Sequence, residues 1–310
     1  MSRIDALLVL MVLIWGANFS VIKRAFLEIP PQPFNALRLV IAALVFMAAI
    51  AWARRRARDA SARVSSVVHT ATDVTRRDWL AIAVLGLIGH FLYQICFVGG
   101  VAITSVSNAA LIIGATPVVV ALASALLGRE RLGPLHWVGA ALSVAGIYFV
   151  VGFGAAFGGA TIRGDLLVVG SIFCWATYTL GAGRLMSRHS PLYITGMTMV
   201  VGAIPYVAVA LPQMLEVDWR QVSLGGWAAL VFSALLALNV AYLIWYVAVR
   251  QLGPSRTAIY SNVVPIVAIA VAAVWLKEPL TRSKLAGAAA VLTGVFLTRL
   301  GRPSSVPIEE

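Results

Sequence analysis

Apolar runs of about twenty residues, each closed by charges or turn residues, recur from one end of the chain to the other. That is the length a helix needs to cross a hydrocarbon core of ~30 Å. The punctuation predicts ten helices, at about 5–25, 35–53, 79–100, 105–127, 135–153, 165–185, 192–214, 226–249, 256–276 and 284–300. Most connections are short, as helix hairpins in a bundle require. One is long: Arg54 to Arg77, "RRRARDASARVSSVVHTATDVTRR", polar and aperiodic, which reads as a flexible loop without a folded domain.

Composition turns this pattern into a membrane protein. Of the 310 residues 61% are hydrophobic and 12% charged, far from the balance of a soluble domain. The mean hydropathy is +0.92. A net charge of +12 would suggest nucleic acid in a soluble chain; here the basic residues sit between apolar runs, where they set topology instead. With the N-terminus in the cytoplasm, Lys and Arg divide sixteen to eight in favour of the cytoplasmic side. Both termini and the basic 54–78 loop are therefore expected in the cytoplasm. Cys96 and Cys174 lie in apolar runs, which indicates neither a disulfide framework nor a Cys-based metal site.

The chain also repeats itself. "IGATPVVVALASALLGRERLG" (Ile113–Gly133) and "SNVVPIVAIAVAAVWLKEPLT" (Ser261–Thr281) align at an offset of 148, pairing Pro117 with Pro265 and Glu130 with Glu278. The register continues through Gly139/Gly287 and Gly146/Gly294, and reaches back to Trp79/Trp227 and Ser107/Ser255. The first span aligns at an offset of 160, Asp5 with Asp165 and Trp15 with Trp175. This divides the chain into residues 1–154 and 155–310. Each half holds five spans, an odd number, so the second enters the membrane from the opposite side. Glu130 is then expected at the cytoplasmic face and Glu278 at the external face. Inverted repeats of this kind can expose one central site to either side in turn.

"LIWGANFSVIK" (Leu13–Lys23), Pro33 and Arg38, "ATPVVVALASALLGRERL" and "GAALSVAGIY" resemble the EamA group of the drug/metabolite transporter superfamily across essentially the whole chain. Within that group the chain is similar to exporters of amino acids, aromatic ones included. One departure is that Ala176 and Tyr178 stand in the second half where Gly16 and Asn18 stand in the first. The resemblance implies an all-α membrane protein of ten helices in two inverted five-helix repeats, in the inner membrane of a bacterium. It implies export of amino acids or similar small metabolites by alternating access, with no cofactor.

Polar and aromatic residues at membrane depth normally face a bundle interior or a wet cavity. The candidates for the cavity are Trp15, Asn18, Arg38, His90, Tyr93, Gln94, Trp175, Tyr178, Asn239, Tyr242, Tyr246, Tyr260 and Asn262. Interhelical hydrogen bonding or an interfacial aromatic belt is the plainer reading of any one of them. His90, Tyr93 and Gln94 share one face of span three, and Asn239, Tyr242 and Tyr246 one face of span eight, its repeat partner. Arg38 either snorkels to the interface or meets a substrate carboxylate. Pro117 and Pro265 are either static kinks or hinges that line the cavity. Glu130 and Glu278 are either helix-end charges or ion pairs that latch a gate on each side. The stripes Gly139, Ser143, Gly146 and Gly287, Ala290, Gly294 are packing surfaces.

Metal-ligand spacings, a Walker loop, a nucleophile elbow and a carboxylate in the middle of any span are absent from the sequence. The expected partners are a neutral, zwitterionic or weakly anionic small molecule and the lipid bilayer, without nucleic acid, in a unit for which a monomer suffices. A broad drug or metabolite effluxer of the same fold is the alternative, with an intramembrane enzyme or a channel further removed.

Overall fold

A computed structural model describes residues 3–58, 65–70, 72–126, 130–131, 133–154, 159–252, 257, 260–261, 263–300 and 304–305. The first half contains α1 (Arg3–Ala25), α2 (Pro31–Arg58), α3 (Arg76–Ile103), α4 (Val106–Gly114), α5 (Thr116–Leu126) and α6 (Pro134–Gly154). The second contains α7 (Gly159–Leu185), α8 (Pro191–Glu216), α9 (Leu224–Leu252), α10 (Val264–Trp275) and α11 (Arg282–Leu300). A two-residue ladder, β1 (Glu130–Arg131) with β2 (Ser304–Ser305), is the one departure from helix among the described elements. Six helices are long and apolar enough to cross a membrane by length and composition: α1, α2, α3, α7, α8 and α9. Four further apolar stretches are shorter.

Both the interior and the outer surface are apolar. Leu8, Met11 and Ile22 of α1 are fully buried, whereas Leu10 and Leu13 on the same helix are about half exposed. Leu44, Phe173, Ile204 and Val274 likewise point outward. A helix apolar on every side fits a lipid solvent, because no polar face is needed.

Neighbours across the two halves follow the repeat. α2 packs on its counterpart α8, and α6 on α11. The contact of α3 with α7 is mirrored by that of α9 with α1, and the contact of α1 with α10 by that of α7 with α5. A two-fold relation between the halves imposes this pattern. The glycine stripes lie in the α6–α11 contact as expected. A Cβ added to Gly294 would lie 2.5 Å from the Gly139 carbonyl oxygen, and one added to Gly146 would lie 2.8 Å from the Val291 nitrogen. Only residues without a side chain permit that approach.

Two expectations need correction. The fourth predicted span is broken: α4 ends at Gly114, Ala115 is a turn, and Pro117 sits at the start of α5. Proline lacks the N–H an unbroken helix would use, so the break falls just before it. Pro265 takes the same place at the start of α10. The second correction concerns the 54–77 loop. Its described part is docked rather than free: Val67 O accepts the Leu192 amide at 3.3 Å, Thr72 donates to the Arg188 carbonyl at 2.9 Å, and Arg250 donates to the Ser66 carbonyl at 2.6 Å. Val68 and Val74 pack on the core, which composition alone hid.

Candidate functional site

Where the broken spans cross, they touch. A Cβ added to Gly114 would stand 2.7 Å from Pro265 Cγ, so the end of α4 lies directly against the start of α10. Beside this crossing lies a cavity of about 700 Å³, its mouth included. Both halves build it: Trp15, Asn18, Arg38, Tyr93 and Gln94 from the first, Trp175, Tyr242 and Ser261 from the second, with others.

The aromatic wall is built around Trp175, with edge-to-face contacts to two rings and tilted contacts to two more. Its ring centroid is 5.8 Å from Trp15 and 5.2 Å from Tyr242, at interplanar angles of 84° and 78°. Tyr93 and Trp245 complete the wall at 5.2 and 6.1 Å from Trp175. Such geometry sets positive ring edges against negative faces and holds the rings rigidly. The Trp15 indole is fixed further by donating to the Ala237 carbonyl at 3.0 Å.

A polar chain shares the cavity with the rings. Arg38 does not snorkel; it is 1% exposed. Its Nη1 donates to Ser233 Oγ at 2.9 Å and its Nη2 to Gln94 Oε1 at 2.8 Å. Ser233 in turn donates to Asn18 Oδ1 at 2.7 Å.

Both α3 and α9 carry a π-helical segment, Leu87–Leu92 and Ser233–Val240. At the repeat offset of 148 these overlap, and Gln94 pairs with Tyr242, both of them on the cavity wall. A π turn inserts one extra residue and re-aims the side chains beyond it, a device common at functional sites.

Four of the candidates miss the wall. His90, Tyr178, Tyr246 and Asn239 are buried behind it. The His90 ring meets Tyr178 at 4.8 Å and Tyr242 at 5.7 Å, and Tyr178 bonds Thr198 at 2.8 Å. Asn239 donates to the Ala42 carbonyl at 2.9 Å. Within a π turn the 3.6-residue face no longer holds, so sharing a predicted face with Gln94 or Tyr242 did not bring His90 or Asn239 to the cavity. Tyr178 is on α7, and Tyr246 lies past the π segment, one regular turn beyond Tyr242. Tyr260 sits elsewhere, donating to Asp5 at 2.7 Å. Asn262 and the side chain of Glu130 lie outside the described residues. Sequence reasoning missed Phe19, Phe97, Trp245 and Thr116, which line the cavity, and Ser233, which anchors Arg38. Ser233, a polar residue within an apolar run, carried a usable signal; an aromatic ring in such a run does not separate cavity from lipid.

Glu278 proves to be more than an ion-paired helix end. It accepts from the Val106 and Ser107 amides at 2.8 and 3.1 Å and from Ser107 Oγ at 2.7 Å, with Lys284 at 3.8 Å. A carboxylate of the second half thus caps α4 of the first, where the helix dipole favours negative charge. Lys277, with φ 56°, makes the turn that delivers it. At the same corner Lys23 donates to the Val101, Ala102 and Thr104 carbonyls at 2.7–2.9 Å, closing the opposite pole of α3. Asp165 accepts from Thr104 and Asn108 there. Other joints also cross the halves. Asp78 pairs with Arg188 and His189, and Glu28 accepts from the Ser223 amide at 2.9 Å. Hydrogen bonds from the Ser223 side chain and backbone hold the exposed Glu28 carboxyl below its ordinary range.

The model of the EamA-like transporter family matches residues 2–152 and again 162–300. The chain belongs to the EamA-like transporter family. Its membership places the duplicated, all-helical chain among multi-pass membrane transporters of the drug/metabolite superfamily. An uncharacterized transporter of Archaeoglobus fulgidus is 28% identical over 96% of this chain and 97% of its own length. The uncharacterized transporter YyaM of Bacillus subtilis is 28% identical over 71% of this chain and 73% of its own. A probable amino-acid metabolite efflux pump of Salmonella typhimurium is 25% identical over 97% of this chain and 96% of its own. A solved protein structure shares the fold at a TM-score of 0.65, with 21% identity, over 97% of this chain and 99% of that one.

Proposed function

We propose that this EamA transporter moves amino acids or similar small metabolites out of the cell by alternating access, with the cavity at the α4–α10 crossing as its substrate site. In this reading the shorter apolar helices complete ten spans in the cytoplasmic membrane. Both termini are cytoplasmic, and the halves 1–154 and 155–310 are inverted relative to each other. The observation that carries the proposal is a single aromatic and polar cavity built from equivalent positions of both halves, Trp15 with Trp175 and Gln94 with Tyr242. A site shared across a two-fold can be opened to either side by rocking one half on the other. The breaks before Pro117 and Pro265 then serve as hinges, and the Glu278 cap as part of the external gate. The Salmonella relative, by its name, supports an amino-acid metabolite as cargo.

Flux in proteoliposomes tests this. Purified protein should give saturable uptake that counterflow accelerates. Trp175→Ala and Tyr242→Ala should each lower it at least tenfold while the protein stays monodisperse, because the rings supply much of the apolar contact in a small-ligand pocket. Unaltered flux in both variants would move the site elsewhere.

A further inference from the structure

Among the described residues the cavity wall carries one full charge, Arg38, and nothing described around it answers that charge. Arg38 remains protonated in any protein setting. Its two described partners, Gln94 and Ser233, are neutral, and its Nε is buried without an acceptor. Among the described residues, no Asp or Glu lines the cavity. A buried cation without a counter-charge is costly unless something pairs with it. Gln94 and Ser233 orient the guanidinium but leave its charge uncompensated, which suits a site whose counter-charge arrives with the ligand.

The aromatic part of the lining has different chemistry. Trp15, Trp175, Tyr242 and Trp245 present ring faces and edges with no carboxylate among them. Such a wall takes an apolar body well. An ammonium there would find ring faces and neutral hydroxyls such as those of Thr116 and Ser261, with no carboxylate among the described lining residues to answer its charge, in the same enclosed space as the Arg38 cation. The Asn18 carbonyl already accepts from Ser233 and, being neutral, supplies no counter-charge.

We propose that the cavity selects organic carboxylates with an apolar, preferably aromatic body, the carboxylate on Arg38 and the body against the Trp15–Trp175–Tyr242–Trp245 wall, the α-ammonium of an amino acid being dispensable. This rests on the cavity being the transport site, and it replaces "amino acid" by a chemical rule: the acid group is read and the amine is not. A bidentate guanidinium–carboxylate contact supplies both charge and direction.

The test uses the full chain in detergent, with quenching of cavity tryptophan fluorescence and ligand-induced thermal shift as readouts. The probes share one body: 3-phenylpropanoate, phenylalanine, 3-phenylpropanamide and 2-phenylethylamine. The expected order is 3-phenylpropanoate at least as tight as phenylalanine, with the neutral amide and the amine each at least tenfold weaker than 3-phenylpropanoate. Arg38→Gln should erase the preference of acid over amide, and Arg38→Lys should retain part of it. Amide or amine binding as tightly as the acid overturns the proposal, and so does an acid preference that survives in Arg38→Gln. If Arg38→Gln fails to fold, the acid–amide comparison in the native chain decides alone. Saturable flux of sugars or organic cations with no binding of any probe would defeat the carboxylate rule and leave the transport reading intact. Absence of saturable flux for every substrate class would defeat the transport reading itself.

Discussion

Replacing Glu278 by Gln removes the charge that joins the second half to the start of α4 while keeping nearly the same shape. The native carboxylate accepts from two amides and one hydroxyl, and its side chain is 14% exposed. Glutamine retains one carbonyl oxygen, so one acceptor position becomes an NH₂ facing donors. A lost cap at a helix N-terminus costs about 1 kcal/mol, and the missing charge–dipole attraction adds about 0.3–1 kcal/mol. The Lys284 contact at 3.8 Å adds little, being a partly exposed pair. The sum, about 1–2 kcal/mol, corresponds to a shift of roughly five- to thirty-fold in a near-balanced equilibrium. Because the cap links the halves at the end assigned as external, its loss should raise the outward-open population. Distances between spin labels on opposite halves, measured on both sides of the membrane, report that population. An unchanged distribution, or a shift toward the inward-open state, would show that Glu278 stabilises the corner equally in both states and takes no part in gating.

Other expectations rest on single contacts. Gly294→Ala would place a methyl 2.5 Å from the Gly139 carbonyl. Forcing α6 and α11 apart should cost about 1–3 kcal/mol, seen as a lower unfolding temperature in detergent; full stability would mean the two helices are not packed backbone to backbone. Glu28 has a folded pKa below its usual 4.5, so the stability it contributes is present above that value and lost as pH falls through the folded one. Glu28→Gln should therefore flatten the acid limb of thermal stability below pH 4.5, and an unaltered limb would refute the Ser223 contact. For topology, Ser65→Cys and Leu280→Cys in a background lacking Cys96 and Cys174 should react with an impermeant thiol reagent in intact cells only at position 280. The reverse pattern would invert every assignment of side.

Much of this architecture was legible because the constraint behind it is crude. A lipid solvent demands long apolar helices, and Pro, Glu and Gly stand out against an Ala/Val/Leu background, so the repeat could be read from Pro117/Pro265 and Gly146/Gly294. Part of the cavity was legible for the same reason: Arg38, Gln94 and Asn18 are polar where polarity is expensive. The rest depended on local geometry that no hydropathy pattern encodes. The π turns in α3 and α9 carry His90 and Asn239 away from the wall that Gln94 and Tyr242 reach. Trp245 and Phe97 could as well have faced lipid. The Glu278 cap needed the left-handed turn at Lys277, where sequence gives no glycine to announce it.

The central claim is that one cavity is reached from both sides of the membrane in turn. A cysteine at Thr116, on the cavity wall, tests it in proteoliposomes of known orientation and a background lacking Cys96 and Cys174. Impermeant reagent added to either face should label Thr116→Cys, and a transported substrate should slow the reaction from both. Labelling from one face only, whatever substrate is present, would contradict alternating access through this cavity.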